Sequence, residues 1–116
     1  MRTIAWIQCV YFLVTGLWPL VHLPSFMAVT GPKTDKWLVR TVGLLIVAIA
    51  LEMGTSLIWQ SGLSIETRVL AISSALALAG VDIVYVARGV IAKIYLVDAV
   101  AELALVAAWV TAIAIH

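Results

Sequence analysis

The sequence predicts an all-α integral membrane protein, a four-helix up-down-up-down transmembrane bundle in one domain over residues 1–116. Three observations predict it. First, 65% of the 116 residues are hydrophobic, only 11% are charged, and the mean hydropathy is +1.17. Soluble domains carry roughly 25% charged residues, so a water-soluble core is excluded. Second, a membrane span needs about 20 mostly apolar residues, and four such runs occur at roughly 5–28, 38–60, 67–87 and 91–115. Third, the runs are joined by short polar connections, which make sequential helices antiparallel neighbours. Little chain is left for a soluble catalytic domain. Any function belongs to the bundle, its loops or its partners.

The first run follows a single basic residue, Arg2. That resembles a signal peptide, but no small-x-small cleavage site follows a short apolar stretch, so 5–28 reads as a retained helix. Thr30-Gly31-Pro32-Lys33-Thr34-Asp35-Lys36 forms the longest connection. Gly-Pro ends the first helix there, and Thr34 or Asp35 is placed to cap the second. Gln60-Ser61-Gly62 makes the second turn and Arg88-Gly89 the third.

Basic residues set the expected orientation. Loops one and three and their flanks hold Lys33, Lys36, Arg40, Arg88 and Lys93, against Arg2 and Arg68 on the other side. The positive-inside rule then puts those loops in the cytoplasm and both termini outside. A net charge of +1 with no basic patch gives no footprint for nucleic acid. The lone Cys9 excludes an intramolecular disulfide and a cysteine metal cluster.

Polar residues fall into seams. Gln8, Tyr11, Thr15, Trp18 and His22 are spaced 3-4-3-4 and share one face of helix one. Thr41, Glu52, Thr55 and Trp59 form a seam on helix two, and Asp82 and Tyr85 with Arg68 one on helix three. Helix four carries Tyr95, Asp98, Glu102 and Trp109. Four stripes that converge on one axis would enclose a polar vestibule. A rise of about 1.5 Å per residue sets Asp82 and Asp98 at similar height across the last hairpin. His22 and Arg40 approach the same half.

An ionised group at membrane depth costs at least about 2.5 kcal/mol, and such residues usually face a bundle interior and carry a role. Asp98 and Glu102, at i and i+4, point the same way, and two bare anions there repel. Protonation, pairing with Arg40 or His22, and a bound cation are the three solutions. The expected binding residues are therefore Asp98, Glu102, Asp82, Glu52, His22 and Arg40. Trp18, Tyr95, Tyr85, Thr15, Tyr11 and Trp109 are expected to line the cavity. No cofactor or metal is implied: Glu52, Glu66 and Glu102 are followed three residues later by Thr55, Val69 and Leu105, so the Glu-x-x-His pair of di-iron bundles is absent. Nucleophile motifs, phosphate-binding loops and dinucleotide fingerprints are absent as well.

Two stretches carry a resemblance, Thr30-Gly31-Pro32-Lys33-Thr34-Asp35-Lys36-Trp37-Leu38-Val39-Arg40-Thr41-Val42-Gly43 and Ile94-Tyr95-Leu96-Val97-Asp98-Ala99-Val100-Ala101-Glu102. They are similar to segments of small bacterial four-helix membrane proteins. In size and topology the chain loosely resembles the DoxX-like group, some members of which are linked to quinone-dependent oxidation. The resemblance implies a bacterial cytoplasmic membrane location and brings no catalytic motif.

The leading expectation is a polytopic protein that binds or translocates a small cationic or proton-coupled solute, with Asp98 and Glu102 as central acceptors. A non-catalytic accessory subunit of a larger membrane complex is one alternative. A small intramembrane enzyme acting on a lipid or quinone-like molecule is the other, its paired acids shuttling protons. Ala104, Ala108 and Ala112 recur every four residues on helix four, about 200° from Glu102 at their near end. Such stripes let helices approach closely, so a homodimer through helix four is expected. The similar stripe Ala71, Ala75 and Ala79 adjoins Asp82 and is expected to pack within the bundle.

Overall fold

The first apolar run divides in two at His22. Pro24 has no N–H for the Leu20 carbonyl, and its ring would collide with that carbonyl in a continuous helix. The computed structural model describes residues 1–32 and 34–115. Among them it contains α1 (Arg2–Val21), α2 (Leu23–Thr30), α3 (Lys36–Trp59), α4 (Ile65–Ala87) and α5 (Tyr95–Ala114). The expected single helix over 5–28 is thus corrected to α1 and α2. His22 leaves the helical region at φ −147° and ψ 81°, and its Nδ1 accepts the Ser25 N–H at 3.2 Å to cap α2. α2 ends at Gly31, whose φ of 99° favours glycine, and the Gly31 N–H reaches the Met27 carbonyl at 2.8 Å.

The fold is all-α, and α1, α3, α4 and α5 are long and apolar enough to cross a membrane. Asp35 occupies the N-cap of α3, its carbonyl accepting from Leu38 N–H at 3.1 Å. Lys33, counted above among the loop-one basic residues, lies outside the described residues. Ser64 caps α4 through its side chain, which accepts the Thr67 N–H at 3.1 Å. The α4 C-terminus closes with Gly89 N–H on Val86 O at 3.0 Å and Val90 N–H on Tyr85 O at 2.9 Å. Gly89 takes the left-handed conformation at φ 74°. These paired bonds are a Schellman motif, and the chain following it delays α5 to Tyr95 rather than residue 91.

Packing is uneven. α1 lies tightly on α3, and α4 on α5, whereas α3 touches α4 and α1 touches α5 sparsely. The α1–α3 crossing is a backbone contact: a Cβ on Gly16 would stand 2.8 Å from the Gly43 carbonyl oxygen, and one on Gly43 would stand 2.7 Å from that of Gly16. Ala71, Ala75 and Ala79 are buried, while Ala104 is exposed and Ala108 and Ala112 are half-buried. The bundle is thus two hairpins laid side by side.

The hydrophobic core occupies one end. Ala5, Cys9 and Phe12 of α1, Ala50, Met53 and Leu57 of α3, Ala71 of α4 and Trp109 of α5 form it. The Cys9 thiol is buried and donates to the Ala50 carbonyl at 3.2 Å. Gln8, fully buried, joins the hairpins. Its Nε2 donates to the Ala71 carbonyl at 2.8 Å, and its Oε1 accepts the Trp109 indole N–H at 2.7 Å. At the other end the hairpins part.

Candidate functional site

The parted end encloses a cavity of about 570 Å³ between α1, α2, α3, α4 and α5. Asp82 from α4 and Asp98 and Glu102 from α5 meet on its wall. Four residues separate Asp98 from Glu102, so the helical period stacks them on one face, and the α4–α5 hairpin brings Asp82 across to the same height. Asp98 is a close neighbour of both Asp82 and Glu102. The Tyr11 hydroxyl of α1 donates to Asp98 Oδ1, a polar link between the hairpins at this end.

Burial makes the cluster demanding. Asp82 is 5% exposed and Glu102 1%, and Asp82 Oδ2 and Glu102 Oε2 are buried without a hydrogen-bond partner among the described residues. None of the described residues that line the cavity is basic. An ionised carboxylate accepts hydrogen bonds but donates none, so two carboxyls bond each other only when one carries a proton. Charge on such a cluster is relieved by protons or by a neighbouring positive charge. A bare metal ion is the weaker form of that charge, because no group of three His, Cys, Asp or Glu side chains among the described residues is arranged to hold one.

The remaining wall is apolar and aromatic. Trp18 is held by its indole N–H on Ser25 Oγ at 2.9 Å and by an edge-on contact with Phe26, the centroids 5.3 Å apart at 88°. Thr15 lines the cavity with its hydroxyl satisfied by the Tyr11 carbonyl at 2.8 Å, and Tyr95 lines it from the first turn of α5. The exposed residues among this lining include Val29, Leu38, Val42, Val81, Ile94 and Val97, all apolar, and Leu38, Val42, Val81 and Val97 belong to candidate spans. The cavity therefore opens in part on the side of the bundle.

Seven expected residues thus meet at the cavity: Asp82, Asp98, Glu102, Tyr11, Thr15, Trp18 and Tyr95. Five others are placed elsewhere. Glu52 follows the buried Gly43 by nine residues, a rotation of about 180° from the face that α1 covers, and it is exposed. Its carboxylate instead accepts from the Thr67 hydroxyl at 2.7 Å, near the core end. Thr41 and Thr55 face outward with it, each hydroxyl returned to its own helix at 2.8 and 2.7 Å. Arg40 is exposed one turn into α3, where a long side chain reaches the headgroups. His22 is exposed and spent on capping α2, because the helical phase that aligned it with Trp18 ends at the break. Trp109 shares the Glu102 face but lies two turns further along, in the core. Tyr85 is exposed near the end of α4.

The sequence reading missed α2's contribution, Phe26, Val29 and Thr30. Pro24 was the available signal, since a proline two residues after His22 ends one helix and seats comfortably at the start of another. Comparison of the chain with protein-family models, with curated proteins and with solved structures gives no match. Four apolar helices are what the DoxX-like resemblance retains, and the functional reading rests on the cavity.

Proposed function

We propose that this multi-pass chain binds a small cation in the cavity in exchange for a proton, with Asp98 and Glu102 as the central acceptors. Asp82 completes the acceptor set, and Tyr11 orients Asp98. The observation that carries the reading is the pair of buried, unpartnered oxygens, Asp82 Oδ2 and Glu102 Oε2, on the wall of a cavity whose described lining has no basic residue. Desolvated carboxyls without a counter-charge stay neutral by holding protons, and an entering cation replaces them. Coupling of this kind needs no nucleotide. Translocation would follow if the Gln8 junction opened toward the far end.

The test is uptake of organic cations into proteoliposomes under an imposed pH gradient, with proton release followed by an indicator dye. Flux that depends on the gradient and is lost in Asp98→Asn and Glu102→Gln is expected. Equal flux in those variants would remove the reading.

A second reading, an accessory subunit of a larger membrane complex, is favoured by Glu52, an exposed residue within α3 whose carboxylate has the Thr67 hydroxyl as a hydrogen-bond donor. A partner helix covering that position would lower its cost. Purification in a gentle detergent with mass spectrometry separates the two: a stoichiometric partner supports the subunit, and the chain by itself does not.

A further inference from the structure

We infer that the occupant of the cavity is an amphipathic amine dissolved in the bilayer, entering sideways from the lipid rather than from water. The inference rests on the proposed cation reading and adds the substrate class and its route. Three observations carry it.

The carboxyls occupy one wall of the cavity only. Opposite them stand Trp18, Phe26, Leu38 and Ile46, and the volume of about 570 Å³ far exceeds what a small inorganic ion would fill. A hydrophilic ion would leave that apolar surface facing water. An ammonium group carrying an apolar body satisfies both walls: the head meets Asp82, Asp98 and Glu102, and the body covers the rest. Trp18 adds an aromatic surface that favours cationic or ring-bearing ligands.

The mouth gives the route. Its large exposed lining residues, Val29, Leu38, Val42, Val81, Ile94 and Val97, are all apolar, and Leu38, Val42, Val81 and Val97 lie within the candidate spans. The close Gly16–Gly43 contact holds α3 on α1 at the level of the cavity, and α3 touches α4 only sparsely. A ligand reaching the rim has therefore already partitioned into lipid. The buried, partnerless oxygens of Asp82 and Glu102 lie inside that entrance, so the charged head is drawn to the innermost polar point.

The experiment measures saturable binding of primary alkylamines from butylamine to decylamine to the protein in nanodiscs, corrected for partition into empty discs. Methylammonium and choline are the hydrophilic comparators, and octanol is the uncharged one. Against free aqueous concentration, affinity should rise by about fourfold per methylene, the equivalent of about 0.8 kcal/mol, until the chain outgrows the cavity. Octanol should bind far more weakly than octylamine, and Asp98→Asn and Glu102→Gln should abolish the difference. Val97→Trp at the rim should slow octylamine association severalfold. Methylammonium binding as well as octylamine would overturn the amphipathic class while leaving the cation reading intact. Octanol equal to octylamine would overturn both in favour of a neutral lipid. Unchanged association in Val97→Trp and in Val42→Trp would overturn the lateral route.

Discussion

The two ends of the bundle treat buried polarity in opposite ways. At the core end, Gln8 is enclosed with both ends of its amide bonded, Nε2 to the Ala71 carbonyl and Oε1 to the Trp109 indole. At the cavity end, Asp82 and Glu102 are nearly as enclosed, yet each keeps an oxygen without a partner among the described residues. Satisfied polar groups specify one packing. Unsatisfied ones destabilise it, and their retention beside a cavity marks the end that is built for something other than stability. One end closes the hairpins on each other, and the other leaves a cavity between them.

Truncations test that contrast most severely. Trp109→Ala should lose about 3–5 kcal/mol, read by titration with denaturing detergent in mixed micelles. It removes the largest fully buried side chain and strands the Gln8 oxygen. Trp18→Ala, on the half-buried cavity wall, should cost about 1 kcal/mol, the scale of one aromatic pair. Equal losses would mean that the ends do not differ.

Next is the contact that sets the hairpin geometry. Gly43→Ala drives a methyl group to 2.7 Å from a backbone oxygen, which a flexible side chain cannot relieve. A loss of about 1–3 kcal/mol is expected. Gly80→Ala, with nothing within 4 Å of the added Cβ, should leave the midpoint unchanged or raise it. Identical responses would dissolve the crossing as a structural determinant.

Gln8→Leu is a smaller change of the same sort. It leaves the Trp109 N–H unpaired and frees one acceptor, for an expected loss of about 1–2 kcal/mol, at the upper end for interhelical polar contacts in membranes. The smallest effect belongs to the cavity acids. Asp82→Asn and Glu102→Gln keep the shape of a neutral carboxyl and remove its exchangeable proton, so unfolding free energies should move by less than about 1 kcal/mol, or rise, the scale of one interhelical polar contact. A loss matching that of Gln8→Leu would make these acids structural glue and erase the contrast.

Hydropathy alone made the four spans legible, because any sequence of that composition must bury its backbone bonds in helices. The seams of helices one and four were legible too. Tyr11, Thr15 and Trp18 meet Tyr95, Asp98 and Glu102 at the cavity as the 3-4 spacing requires. The seam of helix two misled for a physical reason. Threonine returns its hydroxyl to its own helix, so Thr41 and Thr55 exert no pull inward, and the orientation of α3 is settled by Gly43 and Ala50 against α1. A single small residue in a membrane helix is the stronger signal, and Gly43 carries it without any four-residue recurrence. His22 misled because helical phase was extended past the Pro24 break.

Cys9 has a practical side. Its thiol sits 7% exposed among Ala5, Phe12 and Ala50, hydrogen-bonded to a carbonyl. Water-soluble maleimides react with accessible thiolates, and this thiol is shielded from them. The natural chain is therefore its own silent background for labelling. A cysteine placed at Thr34 and another at Gly62, in separate variants, would each be the sole reactive group. Their opposite labelling in sealed cells would show that an odd number of spans separates them, and the side on which Thr34 reacts would reveal which face of the membrane the basic loops occupy.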